Sequence, residues 1–286
     1  MSRIKFSKFH GFGNDYIVIE RSAIPQTTDL SRLARNICLR NTGAGADGIA
    51  VVSPVENGSA DYYCEIVNPD GSVAGFSGNG TRCAVSYLYH NQMWNNPSLR
   101  LETKSGIKNY ALLESDGNGH FVFEAEIGKP RFSSVEIPFA ADNSSDVIDR
   151  EIRYAGEAFR VSCVNVGNPV ACVFVNDFSF DWLAAGRGLE VHEAFPQRAN
   201  IVFINVLSSD IIEIRIWERG AGETAASGPC SSGAAVLSAY TGRTGRVVKV
   251  VSEGGITSVT WRADNEIVLT GNADFIYSGE WPAAAP

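Results

Sequence analysis

Two stretches decide the fold: residues 76–87 read FSGNGTRCAVSY, and residues 226–237 read ASGPCSSGAAVL. Each begins near a Ser-Gly pair, passes through small residues and enters an apolar helical segment. The two serines, Ser77 and Ser227, are 150 residues apart, about half the chain. A helix that is apolar nearly all round is usually buried on every side. The repeat predicts an α+β fold of two pseudo-symmetric halves, each an antiparallel sheet rolled around a central helix.

Short apolar runs between glycines make up most of the remaining chain. Glycine accounts for 28 of the 286 residues, which is typical of many turns and strands. Alternating patterns predict strands at residues 4–9, 15–19, 49–52, 62–67, 99–103, 107–113, 120–126, 159–165, 171–175, 200–206, 210–217, 247–252, 256–262, 266–270 and 274–278. Helices are predicted at residues 29–39, 78–92, 180–186, 189–195 and 231–241.

Composition and charge exclude several classes of function. Hydrophobic residues make up 44% and charged residues 20% of the chain, as in an ordinary globular protein. The net charge is -8, and an acidic surface repels phosphate backbones and anionic lipid. No apolar stretch approaches the roughly 18 residues of a membrane helix, and residues 1–6 lack the apolar core of a signal peptide. We therefore expect no nucleic-acid partner and no membrane association.

The cysteines and histidines show no metal-binding spacing. Six cysteines, at positions 38, 64, 83, 163, 172 and 230, form no C-x-x-C pair. Each is expected to be a reduced, buried thiol in a cytoplasmic protein. The four histidines lie far apart and include no i, i+4 pair, so no metal site is predicted.

The glycine-rich entries to the two repeated helices are the candidate site. A helix N-terminus offers free N–H groups and the positive end of a dipole, which bind a carboxylate or a phosphate. Two such ends facing each other would hold one small anion from both sides. A group just before each helix would then flank the neighbouring carbon. Proton transfer at that carbon from opposite faces is epimerisation.

Three other motifs have alternative interpretations. Residues 43–48, GAGADG, satisfy G-x-G-x-x-G, but a helix precedes them and an apolar run follows, which favours a turn over a dinucleotide site. Residues 75–79 resemble a nucleophile elbow but lack its final glycine, and no histidine completes a hydrolase order. In residues 218–224, ERGAGET, the arginine either captures a carboxylate or forms a surface ion pair.

Taken in order, these motifs resemble those of the diaminopimelate epimerase family over nearly the whole chain. The matching stretches are residues 10–16, 43–48, 68–72, 77–83, 167–169, 195–200 and 218–224. The resemblance implies a substrate cleft between two α+β halves and a final strand, near 274–281, that returns to the first half. It also implies two cysteines, one per half, that exchange the α-proton on opposite faces. The resemblance implies that neither pyridoxal phosphate nor a metal takes part, so no cofactor is expected.

The same resemblance assigns roles to individual residues. Positions 77 and 227 match the two catalytic positions, and Glu218 lies beside the second. The helix starts, with Gly78, Asn79 and Gly228, would hold the reacting carboxylate. The distal amino-acid end of the substrate would be held by Asn14, Asn68, Asn168, Asn200 and Arg219.

Four positions depart from the family pattern. Ser77 and Ser227 stand where the family has the catalytic cysteines, and a hydroxyl is a far weaker acid than a thiol of pKa about 8.5. Val170 replaces a histidine that usually follows Gly-Asn-Pro. Pro229 lacks the N–H that would help to hold the carboxylate. Changes at four positions favour natural divergence over removal of the thiols by engineering. Cys230 is the better substitute acid of the two helix cysteines, although packing is the favoured role.

The sequence therefore predicts a cytoplasmic, homodimeric isomerase of the diaminopimelate epimerase type. It would invert the α-carbon of a diamino dicarboxylic acid that is a precursor of lysine and peptidoglycan. Two alternatives are a diverged homologue that binds an amino acid without turnover, and a related racemase or isomerase with a different substrate. The predicted halves are residues 1–125 with about 274–286, and residues 126–273.

Overall fold

The computed structural model describes residues 3–141 and 145–283. The last residues of the predicted returning segment, 284–286, lie outside this range. The strands are β1 (Arg3–Gly11), β2 (Asn14–Glu20), β3 (Ile49–Pro54), β4 (Tyr62–Val67), β5 (Val73–Ala74), β6 (Ser98–Thr103), β7 (Gly106–Ser115), β8 (His120–Gly128), β9 (Arg150–Tyr154), β10 (Glu157–Asn165), β11 (Pro169–Val175), β12 (Asn200–Val206), β13 (Ile211–Glu218), β14 (Gly222–Glu223), β15 (Val247–Ser252), β16 (Gly255–Trp261) and β17 (Ile267–Pro282). The helices are α1 (Leu30–Ile37), α2 (Gly78–His90), α3 (Trp182–Glu190) and α4 (Gly228–Tyr240), with one 3₁₀ turn at Arg21–Ala23.

The described chain is therefore mostly strand with few helices. It divides into two compact units, residues 1–125 with 271–286 and residues 126–270. In the first unit the strand ladder runs β1, β2, β3, β4, β6, β7 and β8. Strand β8 pairs with β17, and β17 pairs with β1 from Arg3 to His10, so this sheet closes on itself.

The second unit repeats the same pairing scheme. Its ladder runs β9, β10, β11, β12, β13, β15, β16 and the first residues of β17. Each unit has two parallel pairings: β2 with β3 and β4 with β6 in the first unit, and β11 with β12 and β13 with β15 in the second. The sheets are thus mixed, and the prediction of wholly antiparallel sheets is wrong at these four pairings. A helix or a long loop connects each parallel pair, as parallel strands require.

The helix α2 packs against the first three strands of its unit, and α4 packs against β10, β11 and β12. Ten residues of α2 and nine of α4 are buried. Glycines permit the close approach: a Cβ on Gly80 would lie 2.8 Å from the Tyr16 ring, and one on Gly233 would lie 2.9 Å from the Val170 Cβ. Each serine hydroxyl that begins a helix accepts a hydrogen bond from the backbone N–H three residues later.

Most predicted elements are present, with local differences. Residues 266–270 and 274–278 were expected as two strands, but β17 runs through both without a break. The predicted helix at 189–195 is absent, because α3 continues to Glu190 and the chain then turns towards Pro196. The sequence does not predict β9, in which Ile152 is the only buried residue of five, nor the two-residue strands β5 and β14.

In the part of the chain described here, no helix is long and apolar enough to cross a membrane. Residues 3–141 and 145–283 contain no group of three or more histidine, cysteine, aspartate or glutamate side chains that could hold a metal ion.

Candidate functional site

Ser77 caps the helix α2 from a half-buried position. Its Oγ accepts a hydrogen bond from the Gly80 N–H at 3.1 Å and lies 3.0 Å from the Tyr16 hydroxyl. Among the described residues, no acceptor contacts the N–H groups of Gly78 and Asn79. Two backbone donors therefore remain free for an anion at the positive end of the helix dipole.

Ser227 caps the helix α4 and is buried. Its Oγ accepts from the Cys230 N–H at 3.5 Å and donates to the Glu218 carboxylate in a short hydrogen bond. Pro229 occupies the second helical position, where its fixed φ suits the first turn but supplies no donor. Within the described chain, Gly228 is left as the one free N–H before Cys230, so α4 offers fewer anion donors than α2.

Glu218 ends β13 and is a half-buried carboxylate beside the Ser227 hydroxyl. Burial raises the pKa of Glu218, while the hydrogen bond from Ser227 lowers it by less. A carboxylate with a raised pKa titrates closer to neutral pH and becomes a better general base. The arrangement can therefore accept a proton from the serine that it contacts.

Neither helix cysteine is suited to replace the missing thiols. Cys83 and Cys230 are both fully buried. Burial raises the pKa of Cys83 to about 12, and burial together with the nearby Glu218 raises the pKa of Cys230 well above its usual value. Both side chains therefore stay protonated and fill the core, which favours the packing role expected for Cys230.

Asn14 and Asn79 lie together in the first unit. The Asn79 Nδ2 donates to the Asn14 Oδ1 at 3.2 Å, and the Asn14 Nδ2 donates to the Asp47 Oδ2 at 2.7 Å. Arg82, which is fully buried, donates to the Asn79 Oδ1 in a short hydrogen bond. Both amides are thus fixed in orientation before any substrate binds.

A network of charged side chains lies next to Asn14 and Asn79. Asp15 accepts from Lys8 at 2.7 Å and from both terminal nitrogens of Arg40, at 3.1 and 3.0 Å. Arg40 also contacts Asp47, the residue that orients Asn14. Burial raises the pKa of Asp15, but hydrogen bonds from Arg40 and Lys8 outweigh it and lower that pKa to about 2. Asp47 lies in the stretch 43–48, which forms the loop from α1 into β3, as predicted in preference to a dinucleotide site.

The remaining predicted asparagines differ in their local contacts. Asn68 follows β4 in a tight turn, where its Nδ2 donates to the Ser72 Oγ at 2.9 Å. Asn168 lies in the turn between β10 and β11, and its side chain has no hydrogen-bond partner among residues 3–141 and 145–283. Asn168 is therefore free to bind a ligand.

Asn200 and Arg219 lie together in the second unit. The Asn200 Oδ1 accepts from the Arg219 backbone N–H at 2.9 Å, and the Arg219 guanidinium donates to the Gln197 carbonyl at 3.1 Å. In the described chain, the Arg219 guanidinium bonds a backbone carbonyl and forms no ion pair with a carboxylate, which disfavours the surface ion pair considered from the sequence. Its guanidinium is exposed and available to a carboxylate from outside.

Sequence reasoning missed four supporting residues: Tyr16, Asp47, Arg82 and Glu190. The buried Glu190 accepts from the Trp217 Nε1 at 2.8 Å and from the Gly220 N–H at 2.9 Å, and so holds the loop that carries Arg219. Tyr16, Asp47 and Arg82 stand inside the quoted motifs, and that position could have marked them as site residues. Glu190 lies outside every quoted motif, and its partners are 27 and 30 residues away, so the sequence gives no signal for it.

Comparison with known proteins identifies the family. The family described as diaminopimelate epimerase matches residues 6–132 and 162–276. A protein named diaminopimelate epimerase from Pelotomaculum thermopropionicum is 37% identical over 281 residues, covering 97% of this chain and 98% of its own length. Another of that name from Moorella thermoacetica is 38% identical over 279 residues, with 97% and 99% covered.

The fold also matches solved structures. A hydroxyproline epimerase from Agrobacterium vitis superposes with a TM-score of 0.70 at 16% identity, covering all of this chain and 93% of its own. That level of identity supports the fold alone, whereas the sequence matches extend over the whole of both chains. The chain belongs to the diaminopimelate epimerase family.

Proposed function

We propose that this protein is a diaminopimelate epimerase-type isomerase that works without a cofactor. One observation carries the proposal: both units begin a buried helix with a Ser-Gly pair whose hydroxyl caps the helix beside free N–H donors. In the family to which the chain belongs, those positions perform the proton transfers. We assign Ser77 and Ser227 to opposite faces of one substrate α-carbon, with Glu218 as the partner of Ser227.

The substrate class is a small amino acid with a second amino-acid end, most simply diaminopimelate. Gly78, Asn79 and Gly228 are assigned to the reacting carboxylate, because helix starts bind anions. The distal end is assigned to Asn14, Asn68, Asn168, Asn200 and Arg219. The exposed guanidinium of Arg219 and the unpaired amide of Asn168 support this assignment, since both can form charge-assisted or neutral hydrogen bonds to a carboxylate or an ammonium group.

Serine in place of cysteine lowers the expected rate. The base must remove a weakly acidic α-proton, and an unassisted hydroxyl is almost never ionised near pH 7. Each pKa unit of mismatch costs about 1.4 kcal/mol. A helix dipole contributes only about 0.3–2 kcal/mol, which does not offset a mismatch of several pKa units. We therefore propose slow inversion of diaminopimelate by the chain as it stands.

A second candidate is a protein that binds the amino acid without turning it over. The two serine hydroxyls favour this second candidate, because an unassisted hydroxyl is not ionised near pH 7 and cannot remove the α-proton. Solvent deuterium exchange separates the two functions. The chain is incubated with diaminopimelate in D₂O while calorimetry measures binding of the same compound. Binding with measurable loss of the α-proton supports the isomerase, and binding without it supports the second candidate. No binding contradicts both.

The finer architecture follows the same proposal. The extensive burial of α2 and α4 supports a rolled sheet around a central helix in each unit, with the two units as the family's two halves. The six free, buried cysteines support a reducing compartment, for which we propose the cytoplasm. We further propose a homodimer, to be tested by light scattering of the purified chain.

A further inference from the structure

Arg82, in the second turn of α2, is a buried cation to which the proposed reaction assigns no role. Only 2% of the residue is exposed. Among residues 3–141 and 145–283, its guanidinium forms no ion pair with a carboxylate. A buried charge costs free energy unless a group of opposite charge compensates it. The chain by itself therefore holds an uncompensated positive charge near the start of α2.

Neutral groups make all the contacts of this guanidinium in the described chain. Its Nη2 donates to the Asn79 Oδ1 in a short hydrogen bond, and its Nε donates to the Asn272 carbonyl at 3.4 Å. Its Cζ lies 5.3 Å from the centroid of the Phe12 ring. No hydrogen bond joins its Nη1 to another described residue. Because a guanidinium has five N–H donors, part of its hydrogen-bonding capacity is unused.

Two glycines leave room for the guanidinium. A Cβ added to Gly271 would lie 3.0 Å from the Arg82 Cζ, and one added to Gly11 would lie 3.5 Å from its Nη2. The backbones of β17 and β1 therefore approach the guanidinium closely, as glycine allows. This packing fixes the position of the charge without the help of an anion.

The pKa of Arg82 shifts in the direction expected of a cation without a carboxylate partner. Burial lowers it, whereas hydrogen bonds to carboxylates raise the pKa of Arg40 and of Arg262. An arginine pKa starts above about 12, so Arg82 stays charged at pH 7.

The charge lies at the level of the first helical turn. Arg82 follows Asn79 by three residues, about 4.5 Å of helix rise, and long side chains in a helix point back towards its N-terminus. The contact with the Asn79 Oδ1 spans this distance and turns the Asn79 Nδ2 towards the Asn14 Oδ1, at 3.2 Å. The positive charge therefore adds to the helix dipole beside the free N–H groups of Gly78 and Asn79.

We infer that Arg82 is the built-in counter-charge for a ligand carboxylate at the start of α2, and the positioning residue that fixes the Asn79 amide. The inference rests on the proposed function and specifies that this end of the site takes an anion. Binding of the carboxylate compensates a charge that the chain alone leaves unpaired. An opposite charge within about 4–6 Å favours an ionised carboxylate by about 1–3 pKa units, or about 10- to 1,000-fold.

The variant Arg82→Met tests the charge, because it keeps an unbranched side chain and removes the guanidinium. We expect the dissociation constant of diaminopimelate, measured by calorimetry, to rise at least about 10-fold. Without the ligand, the melting temperature of this variant, followed by circular dichroism, should equal or exceed that of the unmodified chain, because the uncompensated charge is gone. An arginine with a merely structural role would lower the melting temperature when replaced.

Two further variants separate charge from position. Arg82→Lys keeps the charge but loses the planar fork that holds Asn79, so its affinity for diaminopimelate should lie between those of the unmodified chain and Arg82→Met. Arg100→Met is the matched control in the same unit, since Arg100 is half-exposed and already paired with Asp61 at 3.0 Å. It should leave the affinity unchanged.

Each outcome decides for or against the counter-charge. Unchanged affinity in Arg82→Met, or an Arg82→Lys variant that binds no better than Arg82→Met, would overturn the inference and leave the proposed function standing. A lower melting temperature or a failure of Arg82→Met to fold would also overturn it, because Arg82 would then stabilise the chain without a ligand. Failure of the unmodified chain to bind diaminopimelate contradicts the proposed function, and the inference with it.

Discussion

Replacing Asp15 by asparagine would test the charged network beneath the candidate site. The Asp15 carboxylate contacts the Lys8 ammonium at 2.7 Å and Arg40 through two nitrogens. The side chains of Lys8 and Asp15 are each only 10% exposed. The variant Asp15→Asn keeps the shape but removes the charge, and leaves the Lys8 ammonium buried and without its carboxylate.

The expected loss in the free energy of unfolding follows from the pKa of Asp15 and the burial of its partners. A fall in the pKa of Asp15 from 3.8 to about 2 corresponds to about 2.4 kcal/mol of the free energy of unfolding. Because the Arg40 side chain is 58% exposed, solvent screening reduces this to about 1–2 kcal/mol. Leaving Lys8 uncompensated adds to the loss, since breaking a buried pair costs about 3–5 kcal/mol in full burial. We expect Asp15→Asn to lower the free energy of unfolding by about 3 kcal/mol at pH 7.

The loss should depend on pH with a defined sign. The folded-state pKa of Asp15 is depressed, so its stabilisation is present above the unfolded value near 3.8 and disappears as the pH falls through about 2. The difference between the natural chain and Asp15→Asn should therefore narrow by about 1 kcal/mol between pH 7 and pH 3. Denaturant titration at both pH values, with circular dichroism as the signal for unfolding, measures this difference in the free energy of unfolding.

The control variant is Asp264→Asn, which removes a carboxylate that has a similarly low pKa but is fully exposed beside Arg262. It should leave the free energy of unfolding nearly unchanged. If Asp15→Asn loses less than about 1 kcal/mol at pH 7, or if the loss is the same at pH 3, the network does not hold an ionised Asp15 and the reasoning fails.

Three further substitutions test the binding groups. Arg219→Ala should weaken diaminopimelate binding by about 2–5 kcal/mol in calorimetry, because a substrate carboxylate loses its charged partner. Unchanged affinity would show that Arg219 is a surface residue that does not contact the substrate. Glu190→Ala should lower the free energy of unfolding by about 1–3 kcal/mol in denaturant titration, because the Trp217 and Gly220 donors are left unpaired; no change would mean that water replaces the carboxylate. Pro229→Ala should strengthen binding by about 0.5–1.5 kcal/mol through the added N–H; calorimetry showing no gain would place the substrate carboxylate away from α4.

Local patterns in the sequence were sufficient for most elements of the fold. Alternation of apolar and polar residues in β6, which reads SLRLET, matches its buried and exposed positions. The start of α4 is three residues earlier than expected, because Pro229 is tolerated in a first helical turn. The parallel pairings were missed because strand direction depends on the connections and carries no local signal.

The candidate site was only partly accessible to sequence reasoning. The helix-capping serines follow from their Ser-Gly motifs. The contacts that distinguish the two hydroxyls depend on residues distant in the chain: Tyr16 is 61 residues from Ser77. Asp47 lies 33 residues from Asn14, whose amide it orients. Such pairs are determined by sheet register and helix packing, which the composition of a short segment does not encode.

The central claim is that Ser77 and Ser227 occupy the two proton-transfer positions of a diaminopimelate epimerase. The most direct test restores both thiols with the double variant Ser77→Cys and Ser227→Cys and measures α-proton exchange and inversion of diaminopimelate in D₂O. We expect inversion to rise at least about 100-fold, since a thiol lowered in pKa at a helix start can act as acid and base. Each single variant should invert more slowly than the double variant, because each face needs its own group. Rapid inversion by the unmodified chain that Ser77→Ala leaves unaffected would contradict the claim.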